Sequence, residues 1–143
     1  MDGSDSRSRL LTELERSLSR DPDVEFAVVF GSRITDEPSP SSDLDLAVKF
    51  TDDLSPHERF RKLCFLSGDL QREELPFVDV SDVETLPVDV AHDAVSGELV
   101  CGDGRAFRRF TAEIEATFEK RRDAVRRHQR DVIDRIAEAG LRG

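Results

Sequence analysis

Tryptophan and tyrosine are absent from this 143-residue sequence, and cysteine, lysine and methionine number only two, three and one. Long apolar runs are missing too. The longest, Phe26 to Phe30, falls far below the roughly 20 residues of a membrane-spanning helix. The opening MDGSDSRSRL has no apolar signal core, so the expectation is a cytoplasmic protein with no membrane partner. Cys64 and Cys101 lie far apart without metal-ligand spacing and read as small buried thiols rather than a disulfide or a zinc site. There are no internal repeats, and no low-complexity stretch beyond the Ser-rich segment at 33–42. Nine Phe supply all the aromatic rings, and hydrophobic and charged residues make up 37% and 36%. That is more polar than an average globular chain but well short of disorder. A chain of 16.1 kDa can bury about two-thirds of its extended surface, enough for one self-sufficient core.

The charge present is lopsided. Thirty-one acids face 21 bases, a formal net charge of −10, and 18 of the bases are Arg. An acid-rich, lysine-poor surface stays hydrated in molar salt, where the Debye length falls to about 3 Å and self-repulsion costs little. This composition predicts a salt-accumulating, haloarchaeal type of cytoplasm. Residues 1–104 hold 10 bases and 24 acids, whereas residues 105–143 hold 11 bases and seven acids. The interleaved acids and the lack of an aromatic stacking ladder in that tail argue against direct nucleic-acid binding and for an acidic protein partner.

Hydrophobic periodicity divides the chain into alternating elements. Leu10, Leu11, Leu14 and Leu18 fall at helical spacing within 7–20, before a DPD stop. VEFAVVF at 24–30 is a continuous β-branched and aromatic run, the mark of a strand buried on both faces. After the loop at 33–42, DLDLAVKF at 43–50 alternates Asp43, Asp45 and Ala47 against Leu44, Leu46 and Val48, a second strand. Ser55-Pro56 opens a helix over 55–75, and FVDVS at 77–81 alternates as a third strand. A short helix after Pro87, an edge strand at 98–102 and the GDG turn follow. From 105 to 139, Phe107, Phe110, Ile114, Phe118, Val125, Val132 and Ile136 recur at helical steps. That helix would be about 50 Å long, more than so small a core can cover, so part of its stripe needs another chain. The fold class expected is α/β (α+β): a small mixed sheet of three to four strands flanked by helices, with a long C-terminal helix. Residues 1–104 form the sheet-bearing domain and 105–143 a helical extension of the same compact unit.

One constellation carries chemistry. Carboxylates at i and i+2 of a strand project from one face about 6.6 Å apart at the backbone, so Asp43 and Asp45 can converge on paired divalent cations. A glycine and a serine at a strand end, Gly31 and Ser32, let backbone and hydroxyl approach phosphate oxygens. Asp79 stands at the same phase of the third strand. In a chain with 18 Asp the DxD alone means little. His57, His92 and His128 are scattered and read as surface or helix-cap residues. Arg121, Arg122, Arg126 and Arg127 read as a solvated face, with a partner contact as the alternative.

Taken together, FGSRITDEPSPSSDLDLAV resembles the signature of the DNA polymerase β-like nucleotidyltransferase superfamily, in which GS and DxD are separated by about ten residues. Here Gly31-Ser32 and Asp43-Leu44-Asp45 are separated by ten, and Asp79 stands where that family takes a third acid. The resemblance runs from about 24 to 102, and the short chain looks most like the minimal nucleotidyltransferases (MNT). It departs from their GS-x-A-R-G at Ile34-Thr35-Asp36, which puts a carboxylate where a glycine is usual, near the phosphates.

The resemblance implies a magnesium-dependent enzyme. Asp43, Asp45 and Asp79 would be catalytic and hold two Mg²⁺ ions, and Gly31 and Ser32 would bind the phosphates of a nucleoside triphosphate, ATP. It also implies a partner, since minimal nucleotidyltransferases of this size are similar to antitoxins paired with HEPN-domain ribonuclease toxins, silenced by AMP on a tyrosine. Two alternatives stay open: a catalytically idle antitoxin that acts by contact, and transfer to a small molecule such as an aminoglycoside.

Overall fold

The computed structural model describes residues 3–30, 44–71 and 77–142. Its elements in chain order are α1 (Gly3–Ser19), β1 (Val24–Phe30), β2 (Leu44–Phe50), α2 (Pro56–Asp69), β3 (Val78–Asp82), a 3₁₀ turn (Val83–Thr85), α3 (Val88–Val95), β4 (Glu98–Gly102) and α4 (Gly104–Arg142). The four strands form one mixed sheet in the order β3-β2-β1-β4, with β2 and β3 parallel and the other neighbours antiparallel.

The apolar alternation in each strand decides what lies on each side of the sheet. Ala27, Val29, Leu44, Leu46, Val48, Phe50, Val78 and Val80 face one way and bury α1 through Leu10, Leu14 and Leu18 and α2 through Leu66 and the capping residue Leu70 that follows it. On the other face α3 and the first turns of α4 cover Phe26, Val28, Phe30 and Ala47 with Ala94, Ala106, Phe107 and Phe110. Phe26 sits between two rings of α4, edge-on to Phe107 at 5.3 Å and tilted to Phe110 at 5.8 Å, geometries that the ring quadrupole favours. β1 is thus buried from Phe26 to Phe30, as its unbroken apolar run predicts.

α2 ends earlier than expected. Ser55 and Glu58 close a capping box at its start, but the helix stops at Asp69. Gln71 then takes over, its side-chain nitrogen donating to Ser67 O and Val78 O and its oxygen accepting from Val78 N. One amide therefore ties the end of α2 to the start of β3. Residues 72–75 of the expected helix lie outside the described residues. A second correction concerns the thiols: both are free, but Cys64 is exposed on the outer side of α2 and Cys101 is only half-buried. Burial raises the Cys101 pKa.

The GDG turn needs its first glycine. Gly102 has φ of 106°, and a Cβ there would collide with the Glu25 carbonyl and Phe26. Asp103 follows, donating its N–H to Glu25 O at 3.0 Å and accepting from Arg105 N at 2.8 Å, which caps α4. That helix has 39 residues, about 58 Å at 1.5 Å per residue. Its apolar stripe is covered only as far as Phe118, whose ring stacks on His92 of α3 at 3.9 Å. Beyond it Val125, Val132, Ile133 and Ile136 are bare. Among the described residues no helix is long and apolar enough to cross a membrane.

Candidate active site

The row of residues where β1 ends and β2 begins defines the site. Antiparallel pairing sets Phe30 opposite Asp45, and parallel pairing sets Asp45 opposite Asp79. Paired residues on neighbouring strands point to the same face, about 4.8 Å apart. The register thus places two carboxylates side by side. α3 and α4 pack over the β1 side of this face, which buries Phe30 to 8% exposure. Asp45 is half-buried beside it, and Asp79, one strand further out, is exposed. The backbone joins the two acid-bearing strands at this end, Leu44 N donating to Phe77 O at 2.7 Å.

Of the five residues singled out from sequence, Asp45 and Asp79 are therefore brought together. Gly31, Ser32 and Asp43 lie outside the described residues; in sequence the first two directly follow β1 and the third directly precedes β2. Among the described residues no group of three His, Cys, Asp or Glu is gathered to hold an ion, the expected third member being Asp43. As a donor set, two aspartates at neighbouring positions suit Mg²⁺, a hard cation held by carboxylate oxygens. Like charges set opposite each other also repel, and a divalent cation relieves that repulsion.

Sequence reasoning missed two charged features away from this row. At the far end of β2, Lys49 is buried to 7% and reaches Glu25 at 3.1 Å, Asp52 at 3.0 Å and Glu84 at 3.2 Å. Glu25 gets there through a register shift between Val24 and Phe26, a bulge that re-aims a side chain. At the start of α4 an open cavity of about 510 Å³ is lined by Asp103, Arg105, Arg108 and Arg109. It lies beside Glu25, at the opposite end of β1 from Phe30, so it is not part of the carboxylate row. Arginines at i, i+3 and i+4 just after a helix start were its only sequence signal.

A four-stranded mixed sheet that sets aspartates side by side on β2 and β3 has the form of a nucleotidyltransferase core. The chain belongs to the polymerase beta nucleotidyltransferase family, whose model matches residues 12–105. No curated protein matches it. Among solved structures it is similar to a chain of a toxin–antitoxin crystal structure with AMP-PNP, with 19% identity, a TM-score of 0.61 and coverage of 87% of this chain and 97% of that one. A chain from a structure of a tri-AMPylated Shewanella oneidensis HEPN toxin in complex with an MNT antitoxin gives 17%, 0.61, 88% and 98%. A chain of the toxin–antitoxin MntA-HepT gives 17%, 0.60, 88% and 98%. At such identities the likeness is one of fold.

Proposed function

We propose that this chain is a Mg²⁺-dependent nucleotidyltransferase that moves AMP from ATP to a tyrosine hydroxyl of a cognate HEPN-domain toxin, and so acts as its antitoxin. The observation that carries the reading is the shared register of Asp45 and Asp79 on neighbouring strands of a family nucleotidyltransferase core. Solved structures of similar fold include an AMP-PNP complex of a toxin–antitoxin pair and an AMPylated HEPN toxin with its antitoxin, which support the choice of nucleotide and partner.

In this reading Asp45 and Asp79, with Asp43, hold the magnesium ions. Bound there, Mg²⁺ neutralises triphosphate charge and stabilises the charge that develops on transfer. Gly31 and Ser32 bind the phosphates through backbone N–H and hydroxyl groups. Asp79, exposed at the rim, accepts the proton of the incoming hydroxyl. The acceptor oxygen bonds to the α-phosphorus, the bond from that phosphorus to the bridging oxygen breaks in line, and pyrophosphate leaves with the electron pair. Residues 1–104 carry this chemistry, and the arm formed by 105–143 meets the toxin with its bare stripe and its arginines.

Incubation with α-labelled ATP, Mg²⁺ and the HEPN protein in molar KCl tests the proposal. Label on tyrosine that is lost in Asp45→Asn supports it, and because the chain has no tyrosine such label must sit on the partner. Toxin silenced by Asp45→Asn as fully as by the wild type, without label, overturns it in favour of an antitoxin acting by contact.

A further inference from the structure

Three phenylalanines among the described residues are more than half exposed: Phe60 at 63%, Phe65 at 66% and Phe77 at 56%. The first two decorate α2. Phe77 is different because of the strand it introduces. The ladder already holds it, its carbonyl accepting from Leu44 N at 2.7 Å, and exposure alternates from there: Phe77 out, Val78 buried to 1%, Asp79 out, Val80 buried to 7%. Residues two apart on a strand share a face and stand about 6.6 Å apart at the backbone. Phe77 and Asp79 therefore project from one face, a solvent-facing ring beside an exposed carboxylate, at the open edge of the Asp45–Asp79 row.

We infer that Phe77 is a positioning residue for an aromatic acceptor, stacking on or meeting edge-on the ring of the tyrosine whose hydroxyl is nucleotidylated. The inference rests on the nucleotidyl-transfer reading above. A benzene ring offers a phenol the offset or edge-to-face contacts that aromatic pairs prefer, with centroids about 4.5–7 Å apart. A phenol ring packed there carries its hydroxyl toward Asp79, within the spacing of the two side chains. A serine or threonine has no ring for Phe77 to hold, so the residue selects among hydroxyls by what bears them. Holding a reactant in attack geometry is itself a large contribution to rate.

The test uses the full chain with N-acetyltyrosinamide and N-acetylserinamide as probes, and Phe77→Ala, Phe77→Leu and Phe77→Trp. Because the chain has neither tyrosine nor tryptophan, fluorescence in the first three proteins belongs to the tyrosine probe, and binding is read without turnover. The wild type is expected to bind and label the tyrosine probe in preference to serine. Phe77→Ala and Phe77→Leu are expected to weaken tyrosine-probe binding and raise its KM about tenfold, leaving KM for ATP and the serine rate unchanged, and Phe77→Trp is expected to restore the preference in the label-transfer assay. An unchanged tyrosine KM in Phe77→Ala overturns the inference, and so does a rise in KM for ATP alone, which would put the nucleobase on this ring. Phe77-dependent binding of the tyrosine probe without any transfer supports the aromatic site and sinks the transferase reading. Neither binding nor transfer by the wild type overturns both.

Discussion

β2 gathers acids at both ends and treats them differently. At the Lys49 end the chain supplies its own cation: one amine meets Glu25, Asp52 and Glu84 and also donates to Phe50 O at 2.8 Å. Arg59 joins the same cluster, 2.6 Å from Glu84 and 3.4 Å from Asp82. Burial disfavours the Lys49 ammonium, but hydrogen bonds to Asp52, Glu25 and Glu84 outweigh it and hold the pKa above 10.5. At the Asp45 end the register lines up carboxylate with carboxylate at a solvent-facing rim. The first arrangement ties acids to a cation of the chain itself, and in the proposed reading the second, carboxylate beside carboxylate at an opening, takes its cation from outside. A seven-residue strand does both because its two ends lie under different covers.

Substitutions at the two ends sharpen that contrast. The largest effect is expected from Asp45→Asn or Asp79→Asn: label transfer falls by about 10³-fold or more, equivalent to about 4 kcal/mol of barrier, while the melting temperature holds or rises. A melting temperature that collapses with the activity would make these acids structural and erase the difference between the ends. Lys49→Met should do the reverse and cost roughly 1–3 kcal/mol in denaturant unfolding, since it takes the ammonium away from the partly buried carboxylates of Glu25 and Glu84. Because the native pKa of Lys49 is raised, its contribution is fully present below pH 10.5 and is lost as pH climbs through the native value. Wild-type stability should therefore fall in strong alkali, and Lys49→Met should show a flatter profile there.

Salt gives a broader and smaller effect. With a net charge of −10, the melting temperature is expected to rise by several degrees between dilute buffer and molar KCl, as screening shortens to about 3 Å. Equal stability in both would remove the halophilic reading. Smallest is Ser55→Ala, which opens the α2 capping box and should cost about 1 kcal/mol. Its effect on nucleotide transfer should be nil, since α2 packs on the face away from the carboxylate row.

Local pattern made most of this architecture legible. β1 shows itself as an unbroken apolar run, β2 and β3 as alternations, and α4 as a stripe from Phe107 to Ile136, because burial on one or both faces imposes those periods. What escaped was set by contacts distant in sequence. The end of α2 depends on Gln71 reaching Val78, and the Lys49 cluster depends on a bulge in β1. Cys64 was expected inside because thiols usually are, but it lies on the α2 side turned from the sheet. For the candidate site, motif spacing pointed to the acids, whereas the pairing of Asp45 with Asp79 follows from strand register, which no single segment encodes.

The length of α4 has one further consequence. A helix anchored by its first four turns and bare beyond Phe118 is a cantilever. Its far end is joined to the sheet-bearing body by rigid hydrogen-bonded backbone rather than by a loose tether. In the proposed reading, a partner that grips Val132 and Ile136 is held at a reach fixed by helical rise, so its acceptor group is presented at a set distance and need not search a volume to arrive. Lengthening or shortening the rod by one turn would then move the load by about 5.4 Å, which makes reach itself a form of selectivity.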